Sequence, residues 1–91
     1  MTWTLLFTDQ YEKRAHRFLK RHPELEKQYV KCLQLLEANP FHPSLRLHQL
    51  SGRLSDLHSV SINLSYRITL EVMINDREII PVNVGDHDAV Y

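Results

Sequence analysis

The apolar residues of this chain change their spacing once, and that change dictates the fold class. Tyr11, Ala15, Phe18 and Leu19 recur at helical intervals, as do Leu25, Tyr29, Cys32, Leu33 and Leu36, so two amphipathic helices are predicted. From Leu54 onward the pattern alternates. Val60, Ile62 and Leu64 share one parity, as do Ile68, Leu70, Val72 and Ile74, and then Ile80, Val82 and Val84. Alternation of this kind marks strands with one buried face.

Punctuation residues set the limits of these elements. The apolar, aromatic run of residues 3–7 reads as a short strand before "TDQYE". Asp9 and Glu12 have the spacing of a capping box, and the first helix is predicted over residues 9–21. Pro23 suits the first turn of a second helix, where its missing N–H is no loss, and "NPFHP" ends that helix. So short a link makes the two helices a hairpin. Pro81 falls inside the last strand, and because it donates nothing to a ladder it must face an unpaired side or a bulge. The predicted fold class is α+β: an N-terminal strand, a two-helix hairpin, then a three-stranded antiparallel meander in one small sheet. Residues 1–91 are expected to form a single domain.

With the even-numbered apolar residues turned to the helices, the odd-numbered side chains face the other way. These are Ser59, Ser61, Asn63, Arg67, Thr69 and Asn83, a polar platform on which Arg67 has room to hold an anion bidentately. The tail "VNVGDHDAVY" brings His87 and Tyr91 toward that platform, whether it stays extended or coils into a turn that aligns them at i and i+4. Full extension would turn Asp86 and Asp88 toward the core, so a bend is expected at Gly85. Histidine is the side chain suited to moving protons near neutral pH, which makes His87, and His48 in "LRLHQLSG", candidates for acid–base work.

Eleven basic and eleven acidic residues cancel, which excludes a general nucleic-acid coat protein. The charge is nevertheless uneven. Residues 1–50 hold eight Lys/Arg against five Asp/Glu, and residues 51–91 hold three against six. Lys13, Arg17, Lys20 and Arg21 fall on one face of the first helix, which is either simply solvated or a phosphate contact.

No metal is expected, since His42, His48, His58 and His87 lack the close spacing of zinc ligands and there is one cysteine. Two glycines and no Gly-rich loop argue against a nucleotide fold. Cys32, inside a helical apolar pattern, reads as a reduced core thiol. With no stretch of eighteen apolar residues and no signal-like apolar segment at "MTWTLLF", neither a membrane span nor export is expected, and the predicted location is the cytoplasm.

Taken together, "HQLSG" after the helices, "YRI" on the middle strand and "VGDHDAVY" at the end resemble the RelE/ParE superfamily of toxins from bacterial toxin–antitoxin modules. The YafQ-like mRNA interferases are the branch most similar. The resemblance implies an endoribonuclease that cuts mRNA on the ribosome, inhibits translation, needs no cofactor and is silenced by an antitoxin, through which the complex binds DNA. It implies His48, Arg67, His87 and Tyr91 as catalytic residues: Arg67 for the phosphate, His87 as acid or base, and Tyr91 as a proton donor or stacking group. Ser59, Ser61 and Asn63, with Lys13, Arg17 and Lys20 on the helix, are the expected substrate contacts. The chain departs from the family where the second strand often carries histidine or lysines, and where Ser65 replaces an aspartate. The alternative is a non-nuclease binding protein on the same scaffold, either a gyrase poison or an inactive toxin that binds only its antitoxin.

Overall fold

The computed structural model describes residues 2–52 and 56–86. In chain order the elements are β1 (Thr4–Leu5), α1 (Asp9–Arg21), α2 (Glu26–Ala38), β2 (His48–Gln49), β3 (His58–Ser61), β4 (Tyr66–Met73) and β5 (Glu78–Asp86). The strands form one five-stranded sheet in the order β1-β5-β4-β3-β2. This enlarges the expected three-stranded meander at both edges. β1 joins β5 in parallel, with Thr4 N–H donating to the Arg77 carbonyl and Leu6 N–H to that of Ile79, both at 2.9 Å. β2 pairs antiparallel with β3. Both additions are only two residues long and join segments distant in sequence, so periodicity carries no trace of them.

Helix α1 has the predicted limits, but a different cap. The Thr8 hydroxyl oxygen accepts from Tyr11 N–H at 3.1 Å, so Thr8 rather than Asp9 satisfies the open first turn. Asp9 and Glu12 instead supply negative charge near the positive end of the helix dipole. Pro23 opens a 3₁₀ turn, Pro23–Leu25, which leads directly into α2.

One face of the sheet and the two helices enclose the core. Tyr11, Phe18, Tyr29, Cys32 and Leu36 from the helices meet Val60, Ile68, Leu70, Ile79 and Val84 from the strands. Across the helix pair the Tyr11 and Tyr29 hydroxyls share a hydrogen bond of 2.7 Å. Burial raises the pKa of both phenols, and for Tyr11 the neighbouring Tyr29 adds to it. The Cys32 thiol is pushed up to about 12 by the same loss of water, as befits a core thiol.

Pro81 lies at a β-bulge. Thr69 faces Asn83 but Leu70 faces Pro81, so Val82 is the extra residue on β5. The bulge reverses the inward parity over the first half of β5. Ile79 and Pro81 are fully buried there, in place of the expected Ile80 and Val82, and Val84 resumes the predicted side. Leu64 and Ile74 were expected inward by alternation, yet they are 85% and 64% exposed because both sit in the turns flanking β4.

Candidate functional site

Residues directly opposite in a ladder carry their side chains on the same face. His48 lies opposite Ser59, Ser59 opposite Thr69, and Thr69 opposite Asn83; the adjoining row runs Ser61, Arg67, Gly85. His48 and Arg67 therefore share the sheet face turned away from the helices. Two strand spacings, about 10 Å, separate their strands.

Arg67 is the centre of this face. It is half-buried, and its Nη1 is buried with no hydrogen-bond partner. The Thr69 hydroxyl, two residues along the same face, is buried and unpartnered as well. A buried donor left unpaired costs roughly 1–3 kcal/mol, more when charged, and buried polar groups in folded proteins are nearly always satisfied. An acceptor with several oxygens placed beside Arg67 would remove that penalty. Gly85 stands opposite Arg67 and presents no side chain to it.

His48 is exposed at the outer end of the face, on β2. Its Nδ1 is 3.1 Å from the Arg46 carbonyl oxygen. A carbonyl only accepts, so Nδ1 carries the proton and Nε2 is the basic nitrogen of the neutral ring. Arg46 directs its carbonyl this way from a left-handed conformation, φ 51°, at the end of the 3₁₀ turn Pro43–Leu45.

The neighbouring polar residues have other tasks. Ser59 is fully buried, and so presents no surface to a substrate. The Ser61 hydroxyl donates to the Asn63 carbonyl at 2.6 Å, while Asn63 Oδ1 accepts from the N–H groups of Ser65 and Tyr66 at 2.8 and 2.9 Å. Ser61 and Asn63 thus build the turn between β3 and β4. The strand β5 also runs straight through Gly85 to Asp86, where a bend was expected. His87 and Tyr91 lie outside the described residues.

A second concavity of about 420 Å³ opens where α1 meets the last residues of β5. Arg14, Arg17 and Arg21 enter it from the helix, Phe18, His22 and Tyr66 form an aromatic wall, and Asn83, Gly85 and Asp86 close the strand side. Gly85 belongs to both places, since it lines this cleft and faces Arg67. Lys13, Arg17 and Lys20 are exposed on α1 as predicted, but of the three only Arg17 lines the cleft. Sequence reasoning missed Arg14 and His22. The spacing of Arg14, Arg17 and Arg21 at i, i+3 and i+7 was the available signal.

The fold has close structural parallels. YafQ from E. coli strain BL21(DE3) superposes with a TM-score of 0.79, at 15% identity over 98% of each chain. The chain carries the fold of YafQ. The E. coli DinJ–YafQ toxin–antitoxin complex matches at a TM-score of 0.78 and 17% identity, over 100% of this chain and 99% of that one. The YoeB–YefM complex from Staphylococcus aureus matches at 0.71 and 19%, over 93% and 97%. No protein-family model and no curated protein matches the sequence. In this chain the two helices pack on one face of the five-stranded sheet and Arg67 stands on the other. No described helix is long and apolar enough to cross a membrane.

Proposed function

We propose that this chain is the toxin of a toxin–antitoxin pair and an endoribonuclease that cuts mRNA presented by the ribosome. The observation that carries this reading is the unpaired, buried guanidinium nitrogen of Arg67, set on a polar sheet face beside an unpartnered Thr69 hydroxyl and opposite a glycine. That arrangement suits a group with several negatively charged oxygens, such as a phosphodiester turning into a phosphorane.

The reaction is attack of a ribose 2′-hydroxyl on the adjacent phosphorus. His48 Nε2 takes the hydroxyl proton, the O2′–P bond forms, and the P–O5′ bond breaks to leave a cyclic phosphate and a 5′-hydroxyl. Arg67 donates to the phosphorane oxygens. His87 supplies the proton to the leaving oxygen, and Tyr91 stacks on the base or serves as a second donor. Each acid or base group contributes about 10²- to 10⁴-fold. The zero net charge is compatible with this role, because the ribosome holds the message and the enzyme need not capture free RNA. The work is done in the cytoplasm, and the partner that silences it is a cognate antitoxin laid over the helices or the polar face, through which the complex binds DNA.

The commitment of Ser61 and Asn63 to a turn favours one rival, a non-nuclease binder that poisons gyrase or only meets its antitoxin. Translation-dependent mRNA cleavage distinguishes them: the wild type cuts, and Arg67→Ala and His48→Ala do not. Growth arrest with intact message and damaged DNA would decide for the gyrase poison.

A further inference from the structure

From the cleft between α1 and β5 we infer a second RNA site, holding the single-stranded nucleotide next to the one at Arg67; this rests on the nuclease reading above. Arg17 and Arg21 lie one helical turn apart, are exposed, and make no ion pair among the described residues. Two guanidinia so spaced can grip one phosphate from two sides or follow successive phosphates. Beside them Phe18, His22 and Tyr66 pack with ring centroids 4.8 to 5.3 Å apart, and His22 and Tyr66 keep part of their surface exposed. Cations alongside aromatic faces are the means by which proteins hold single strands without reading sequence.

The position makes this a continuation of the reaction site. Gly85 lines the cleft and is the ladder partner of Arg67, one strand spacing or about 4.8 Å away. Arg67 is on the sheet face away from the helices and the cleft is on the α1 side, so a strand joining the two rounds the end of β5.

A protein segment adding to the edge of β5 is the competing occupant, and the edge is blocked against it. The Val82 carbonyl already accepts from Arg14 Nη1 at 2.9 Å, and the Val84 N–H donates to Asn83 Oδ1 at 2.9 Å. Backbone groups needed for strand addition are thereby occupied by side chains.

The test measures binding of the full-length chain to a fluorescein-labelled, uncleavable 2′-O-methyl single-stranded RNA and, separately, to vacant ribosomes, over a range of salt. Arg17→Ala/Arg21→Ala is expected to weaken binding at least tenfold and to lower the slope of log K against log[salt] by about 1.4, since each lost phosphate contact removes about 0.7. Both substitutions are at exposed positions, and circular dichroism should be unchanged. Loss on the oligonucleotide assigns the site to the message, and loss on the ribosome alone would overturn the inference, because the contact is then with ribosomal RNA. Unchanged affinity and slope on both would overturn the inference, as would a variant that binds both normally but no longer binds its antitoxin. Cleavage is not read here, so an inactive wild type that still binds RNA through Arg17 and Arg21 defeats only the nuclease reading.

Discussion

Arg67, whose guanidinium has an unpaired buried nitrogen, stands across the β4–β5 ladder from Gly85, which presents no side chain to it. An arginine kept in that state serves a ligand more than it serves stability. Arg67→Met should therefore leave the melting temperature unchanged or raise it, while abolishing cleavage, because it removes an unsatisfied buried donor. Thermal unfolding followed alongside the cleavage assay checks this, and a clear drop in melting temperature would mark Arg67 as structural.

His48 is held by the Arg46 carbonyl in the tautomer that leaves Nε2 basic. His48→Gln should lower the single-turnover cleavage rate by about 10²- to 10⁴-fold. As the side chain is exposed, stability should stay within about 0.5 kcal/mol. A single-turnover rate equal to that of the wild type would remove His48 from proton transfer.

The Tyr11–Tyr29 hydroxyl pair predicts a non-additive double-mutant cycle. Tyr11→Phe alone strands a half-paired hydroxyl and should cost about 1–3 kcal/mol, whereas Tyr11→Phe/Tyr29→Phe should cost less than the sum of the two single changes. Urea unfolding of the four proteins measures the difference.

Alkali should unfold this protein early. Tyr11, Tyr29 and Cys32 all have pKa values raised by burial, Cys32 from 9.0 to about 12, so above pH 9 the unfolded chain binds fewer protons than the folded one. Stability is then full below pH 9 and falls as pH rises from there toward 12, at up to about 1.4 kcal/mol per pH unit for each group. For the same reason Cys32 should resist iodoacetamide at pH 8 until denaturant is added. Rapid alkylation of the native chain would contradict its burial.

The helix cap separates two neighbouring residues. Thr8→Ala should cost about 1 kcal/mol, and Asp9→Ala only the smaller dipole contribution of about 0.3–1 kcal/mol, reversing the ranking that the Asp9 and Glu12 spacing suggests. Chemical denaturation of both variants gives the ranking directly.

Local chemistry was legible along the chain. The limits of α1 follow from apolar spacing and charge placement, and the bulge at Pro81 follows from a missing N–H, because both are settled by neighbours in sequence. Helix period and strand alternation likewise defined the layers. The tertiary structure decided what depends on partners far away: the parallel union of β1 with β5, the pairing of β2 with β3, and the reversal that buries Ile79 and Pro81. Only packing could turn Ser59 into a buried residue, commit Ser61 and Asn63 to a turn, or bring Arg14, Arg17 and Arg21 up to the end of β5. Sequence states which faces an element has, through the fixed periods of helix and strand. Which face meets which neighbour is settled by the joint burial of all of them, and no single segment contains that information.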